Sequence, residues 1–299
     1  MKKKLLIITG ALLVNIGYAQ GCSDAGICSI NKGFQQEKTA FKNKLEISAI
    51  YSLGEADLVY VSPYVSYTKR FNEQYSFTAK VTFSTASGSF GTRSQFGDAF
   101  LVGNYAFTEK NQRQWSALLG LKFPFTASNL KINGYSLPLD YQSSLGTIDV
   151  FVGANYQYKQ WSFNGALQIP VVNLNKNSYF SEYAGTDDFP STNLFHRQPD
   201  ALVRAIYSIP VANQKITFKP NVLFIYHLGE DSYESIFGER EKIRGSDGLT
   251  INGNLLTSCK LSPQSSIELS LATPFVVRTI RPDGLTRSFV AGLHYQYSF

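Results

Sequence analysis

The final stretch of the chain, residues 288–299, alternates between apolar and polar side chains. Phe289, Leu293, Tyr295, Tyr297 and Phe299 share one parity, and Gly292, His294 and Gln296 share the other. Successive residues of a β-strand point to opposite sides of the sheet, so this pattern predicts a strand with one apolar and one polar face. A soluble sandwich could bury such a face, but the sequence finishes on the aromatic residue itself. We therefore expect the apolar face to meet lipid.

The same period recurs along residues 44–299, where we count about twelve strands. The predicted connections near residues 72, 110, 159, 212 and 262 are short, and most of the intervening ones are long. Transmembrane barrels have this asymmetry, with short periplasmic turns and longer extracellular loops. The sequence therefore predicts an all-β fold: a transmembrane, antiparallel, up-and-down β-barrel. The segments 126–145, 173–199 and 229–248 would form its extracellular mouth and fold inward to set selectivity.

The first residues predict export. Lys2, Lys3 and Lys4 precede an apolar run, and Ala19 ends a small-residue cleavage site, so residues 1–19 are predicted to be a secretory signal peptide. Without it the chain carries 25 basic and 22 acidic residues, a net charge of +3. This balance does not favour nucleic-acid binding. No later run of ~18 apolar residues predicts a transmembrane helix.

Residues 20–43 are polar and irregular, and we interpret them as a periplasmic N-terminal segment that could dock a periplasmic partner. Cys22 and Cys28 fall within it, close enough in sequence for a small disulfide loop in an oxidising compartment. A metal or redox site and lipidation of Cys22 are weaker alternatives, and Cys259 is predicted to be a small buried or lipid-facing residue.

The end of the chain resembles the terminal strand of bacterial outer-membrane β-barrels, which closes with alternating aromatic residues and a final Phe. The resemblance implies the outer membrane of a Gram-negative bacterium, contact with its lipid, and recognition of this strand by the barrel-assembly machinery. Aromatic side chains beside the short turns favour a membrane interface. The predicted periplasmic girdle comprises Tyr67, Tyr75, Trp115, Tyr158, Trp161, Tyr207, Tyr295, Tyr297 and Phe299.

Polar residues occupy the opposite parity. A charge facing lipid at mid-depth costs about 2–4 kcal/mol, so these side chains are expected to point into the lumen. They could pair into a network that fills a narrow barrel, or some could line a solute path. The candidates for such a path are Lys122, Asp149, Arg204, Lys219, Asn252 and His294. The first four are expected to lie near the middle of their strands.

No enzyme, cofactor or metal site is predicted. The sequence has no Gly-x-Ser-x-Gly elbow and no His-x-x-x-His pair. Phospholipase barrels place a serine two residues after the catalytic His, whereas His294 is followed at that offset by Gln296 and His227 by Gly229. The acidic loops at Asp187, Asp188, Glu230 and Asp231 could hold Ca²⁺, but solvated loops are commoner.

A second resemblance lies in LGLKFPFT at residues 119–126, LPL at 137–139 and LGTID at 145–149. These stretches resemble outer-membrane proteins of the meta-pathway of phenol degradation, distant relatives of long-chain fatty-acid transporters. Phe125 interrupts the family's Leu-Pro-Thr-Gly turn, and only Gly146 remains of a glycine pair. The resemblance implies a channel for passive uptake of a small hydrophobic or aromatic solute. The alternative is a non-transporting barrel that anchors an outer-membrane complex.

Overall fold

The computed structural model describes residues 41–284 and 287–299, in which twelve strands form one closed antiparallel barrel. The strands are β1 (Asn43–Leu53), β2 (Val59–Val61 and Tyr64–Arg70), β3 (Tyr75–Gly88), β4 (Gly91–Ala106), β5 (Arg113–Pro124), β6 (Thr147–Tyr158), β7 (Trp161–Asn173), β8 (Asp200–Tyr207, continued by Ile209–Val211), β9 (Ile216–His227), β10 (Gly248–Lys260), β11 (Ser265–Val276) and β12 (Phe289–Ser298). The predicted fold class is confirmed.

Each strand pairs with its neighbours in sequence, and the last strand closes the ring against the first. The pairing of β1 with β12 runs from Lys44 opposite Ser298 to Leu53 opposite Phe289. β2 is interrupted at Pro63, whose ring nitrogen cannot donate to the ladder. Closure leaves no free sheet edge, which is what a strand structure in lipid requires.

The alternation seen in the sequence separates the two surfaces of the barrel. Along β12, Leu293 is 56% exposed on the outside, and its neighbour His294 is 5% exposed on the inside. A soluble sandwich would bury the apolar parity, whereas this barrel exposes it along every strand. The outer surface is therefore an apolar belt suited to lipid, and the polar residues fill the lumen.

The two ends of the barrel differ. One end carries the short turns, including Lys159 and Gln160 between β6 and β7. The other carries the long segments 125–146, 174–199, 228–247 and 277–284, which together we call the loop plug. It includes two short strand pairs (Lys131–Ile132 with Tyr135–Ser136, and Ser232–Glu234 with Arg240–Lys242), a 3₁₀ turn at Leu139–Tyr141, and a four-residue helix, α1, at Ser181–Ala184.

The loop plug packs into and across its end of the barrel. One apolar cluster joins loop residues Leu137, Tyr141, Tyr179 and Phe189 to the strand ends, and a second contains Leu139, Leu145, Phe195 and Ile243. Within residues 41–284 and 287–299, no helix is long and apolar enough to cross a bilayer.

Candidate functional site

The lumen at the short-turn end is a wide cavity of about 820 Å³, which we call the vestibule. Its wall consists mainly of Gln and Ser side chains, together with the charged residues Lys219, Lys260 and Glu268. Hydroxyl and amide groups of this kind hold water. The predicted path residue Lys219 therefore lies in a wet chamber near the short-turn end of β9, not at mid-strand.

Deeper in the barrel, the inward side chains of β4–β9 become apolar. Phe100, Val102, Leu118, Phe151, Ala166, Leu202 and Leu223 form a buried cluster, the apolar band. Sequence parity had marked this face as polar, and the band was missed because its members alternate with polar residues along the same strands. Its members are 0–8% exposed, so their side chains pack together and fill this part of the lumen.

Arg204 and Asn252 lie beside the apolar band. Arg204 is 4% exposed, and its cross-strand neighbours are Asn164 on β7 and Leu223 on β9. Leu223 in turn lies opposite Asn252, which is fully buried. The Arg204 Nε and both amide atoms of Asn252 have no hydrogen-bond partner in the part of the chain that the structure describes.

Lys122 and Asp149 are cross-strand neighbours on β5 and β6 and form a fully buried ion pair. The Lys122 Nζ lies 2.8 Å from the Asp149 Oδ2 and 3.1 Å from the Thr147 Oγ1. The Gln168 Nε2 donates to the same carboxylate at 2.5 Å. The expected mid-strand position is wrong for this pair: Lys122 is the tenth of 12 residues in β5 and Asp149 the third of 12 in β6, so both lie near the plug ends of their strands.

His294 belongs to a polar network on the opposite wall. Its Nδ1 lies 2.7 Å from the Ser48 Oγ and 3.1 Å from the Tyr64 hydroxyl, and its Nε2 lies 2.9 Å from the Ser270 Oγ. Tyr64 donates to Glu46, and the Lys80 Nζ lies 3.7 Å from the Tyr64 ring centroid. Both ring nitrogens of His294 are hydrogen-bonded, so its side chain ties β1, β2 and β11 to β12.

A second ionic cluster fastens the loop plug to the strands. The His227 Nδ1 lies 2.6 Å from Asp200 and its Nε2 lies 2.8 Å from Asp231, so the ring bridges β8 and a loop. Arg278 donates to Asp283 at 2.9 Å, and Arg197 lies 3.6 Å from the same carboxylate. Sequence reasoning missed this cluster because its members come from three separate stretches of the chain, 197–200, 227–231 and 278–283.

The charged groups in the loop plug shift one another's pKa values. Burial alone would raise the pKa of Asp283, but Arg278 and Arg197 lower it below its usual value. Burial raises the pKa of Asp231, and the bonds from His227 oppose that rise only in part. Asp231 is engaged by His227 and the Gln198 backbone N–H. Across the described ranges, no group of three or more His, Cys, Asp or Glu residues is placed to hold a metal ion.

The predicted girdle residues ring the short-turn end on the outer surface. The Trp161 and Tyr207 rings contact each other at a tilt with centroids 4.8 Å apart, and the Trp115 ring lies 4.7 Å from the Tyr156 ring. Tyr158 is partly exposed, and the remaining members, Tyr67, Tyr75, Tyr295, Tyr297 and Phe299, are exposed. Their function as a membrane girdle stays a prediction.

Several predictions fall on the N-terminal part of the chain. The signal peptide 1–19, the Cys22–Cys28 disulfide and almost all of the segment 20–43 lie outside the described residues. Cys259 has a free thiol and is partly exposed.

Neither a protein-family model nor a curated protein sequence matches the chain. Among solved structures, an outer-membrane channel from Pseudomonas putida F1 superposes with a TM-score of 0.62 at 12% identity, over 89% of this chain and 98% of that one. The chain has the fold of an outer-membrane β-barrel. Together with the apolar belt, this fold places it in the outer membrane of a Gram-negative bacterium, as the sequence predicts.

Two porins also match the barrel over most of its length. The NanC porin has a TM-score of 0.48 at 10% identity, over 85% of this chain and 98% of that one, and the KdgM porin has 0.46 at 8%, over 86% and 99%. At these identities the matches concern the fold. The predicted likeness to the meta-pathway family has no support from them and stays a prediction.

Proposed function

We propose that this β-barrel is an outer-membrane channel that admits a small apolar or aromatic solute by passive diffusion. The observation that carries the proposal is the order of three regions along the lumen. A polar vestibule of about 820 Å³ lies at the short-turn end, the apolar band follows it, and the loop plug covers the other end. The meta-pathway resemblance supports an apolar or aromatic solute, and the fold shared with an outer-membrane channel from Pseudomonas putida F1 supports a channel.

In this proposal the candidate residues act at successive depths. Lys219 lies in the vestibule, Arg204 and Asn252 lie beside the apolar band, and the Lys122–Asp149 pair lies under the plug. His294 belongs to the hydrogen-bonded wall on the other side of the lumen from the apolar band. An apolar solute passing this depth would have to part the packed side chains of the band, among them the Phe100 and Phe151 rings, whose centroids lie 6.1 Å apart.

The loop plug acts as the gate. A residual cavity beneath it measures about 30 Å³, roughly the space of one water molecule. A solute larger than water would therefore need the plug to move. The segment around α1 is the best candidate for this motion, because its ends are close: the Thr192 N–H donates to the Tyr179 carbonyl at 3.0 Å.

The test is single-channel recording on residues 20–299 refolded into planar bilayers. Replacing residues 180–190 by Gly-Gly removes Phe189 from the apolar cluster without straining the chain, and should raise the open-state conductance or open probability several-fold. The matched control replaces the exposed tip residues 236–238 by Asn-Gly and should leave both unchanged. A folded barrel that passes no current, with or without residues 180–190, would exclude the channel and favour the anchoring alternative.

A further inference from the structure

Arg204 is a buried cation without a counter-ion. Among residues 41–284 and 287–299, it forms no ion pair, and its Nε has no hydrogen-bond partner. Lys122, another buried cation of the lumen, is by contrast paired with a carboxylate at 2.8 Å. Buried charges are normally paired because an unpaired one loses its hydration without compensation. A guanidinium left in this condition has the capacity to bind an anion.

The groups around Arg204 are amides. Asn164 lies directly across from it on β7 and is buried, with an Oδ1 that has no partner, while its Nδ2 donates to the Asn155 Oδ1 at 2.7 Å. Asn252, two strands along the same rung, has an unpartnered Nδ2. No acidic residue takes part in this rung, which runs from Asn164 through Arg204 and Leu223 to Asn252. The unpartnered Asn252 Nδ2 is a donor that would join the Arg204 guanidinium in holding an anion, and an anion there meets no fixed negative charge within the rung.

The apolar band adjoins the same guanidinium. Leu202 precedes Arg204 by two residues on the inward face of β8, and Leu223 is its partner on β9; both belong to the band. A ligand held here would therefore meet a cation at one end and apolar side chains at the other. On the short-turn side, Ser162 lines the vestibule and lies one inward-facing position from Asn164, so the vestibule ends next to this rung.

We propose that Arg204 and its amide neighbours form a binding site for the carboxylate of a small organic acid whose apolar body rests on the band. A planar guanidinium binds a carboxylate through two parallel N–H donors, a match that a single ammonium does not provide. This inference rests on the proposed solute path and refines it: the solute class becomes aromatic or short aliphatic acids.

The test is titration calorimetry on the folded barrel, residues 20–299, with three probes. Benzoate carries the carboxylate and the ring, benzamide carries the ring without the charge, and acetate carries the charge without the ring. We expect benzoate to bind at least tenfold more tightly than either of the others. Equal binding of benzamide would exclude the anion site, equal binding of acetate would exclude the role of the band, and no benzoate binding would overturn the proposal.

Variants then assign the site. Arg204→Gln should weaken benzoate binding by about tenfold or more, the usual loss when a charged hydrogen-bond partner is removed, and Arg204→Lys should lose less. Lys159→Gln removes the same charge from the exposed rim of the vestibule and should leave binding unchanged. Benzoate binding that survives in Arg204→Gln would refute the assignment, and circular dichroism verifies that each variant is folded. Channel recordings are independent: a wild-type barrel that binds benzoate but passes no current would refute the channel and keep the site.

Discussion

The Lys122–Asp149 pair is the strongest test of how the lumen is held together. Both side chains are fully buried, and the Lys122 Nζ lies 2.8 Å from the Asp149 Oδ2. Lys122→Met keeps the length of the side chain and removes its charge. The Asp149 carboxylate would then keep only the Gln168 amide as a hydrogen-bonding partner among those that the structure shows.

The magnitude follows from the separation. At 2.8 Å and an effective dielectric constant of about 20, the attraction is roughly 6 kcal/mol. Desolvation of the two ions offsets most of this, so the intact pair contributes little compared with a neutral pair. Removing one partner leaves the desolvation cost of the other, and Lys122→Met should therefore lower the free energy of unfolding by about 3–5 kcal/mol. In Lys122→Met/Asp149→Asn the buried charge is absent, and at least ~2 kcal/mol should be recovered.

The assay is urea unfolding of the lipid-embedded barrel, under conditions where the unfolding and refolding curves coincide. Trp115 and Trp161 are both exposed on the outer surface, so their emission reports loss of the lipid-embedded state. Lys131→Met, at an exposed loop position, is the control and should change stability by less than about 0.5 kcal/mol. A Lys122→Met barrel within 1 kcal/mol of wild type, or a double variant no more stable than it, would refute the reasoning.

Three further predictions concern the plug and the girdle. Gly284 has φ +63°, and an added Cβ would lie 2.6 Å from the Leu139 carbonyl oxygen. Gly238 has φ +80° but open space around it, so Gly238→Ala should lower the free energy of unfolding by only the ~1 kcal/mol of backbone strain. Gly284→Ala should lower it by well over that amount, and the urea midpoints of the two variants test the difference. Because Arg278 and Arg197 hold the pKa of Asp283 below its unfolded value of about 4, its contribution to stability is present above that pH and is lost as the pH falls through the folded pKa. From about pH 5 downward, the free energy of unfolding should therefore decline less steeply in Asp283→Asn than in wild type. The exposed Asp187→Asn is the control and should follow the wild-type slope. A wild-type slope in Asp283→Asn would argue against the cluster. Trp161→Phe and Trp115→Phe each leave a single tryptophan. If Trp115 and Trp161 lie at the membrane interface, lipids brominated near the headgroup should quench their fluorescence more than lipids brominated at the end of the acyl chain. The reverse order would place these residues at mid-depth.

The alternation of side chains was enough to predict the barrel, because the period of a strand is local and lipid makes one face apolar along the whole strand. The same information failed where the chain leaves that period. The Gly- and Ser-rich stretch before Arg93 suggests a loop, but β3 runs to Gly88 and β4 begins at Gly91, leaving a two-residue turn. Arg93 is then buried within β4 and donates to the carbonyls of Ser84, Tyr141 and Gln142. The Tyr141 and Gln142 carbonyls reach it only after the loop 125–146 has folded back, which no local pattern encodes.

The candidate site divides in the same way. Parity correctly assigns Lys122, Asp149 and Arg204 to the inner face, but it carries no information on which of them meet. The register of the strands makes Lys122 and Asp149 direct neighbours and sets Arg204 on a different rung, opposite an asparagine and a leucine. Lys122 is thus neutralised within the barrel, whereas Arg204 has no ion-pair partner among the described residues. Arg204 is thus a positive charge without a counter-ion beside the apolar band. We propose that this feature distinguishes a path for organic acids from a barrel whose filled lumen serves only stability.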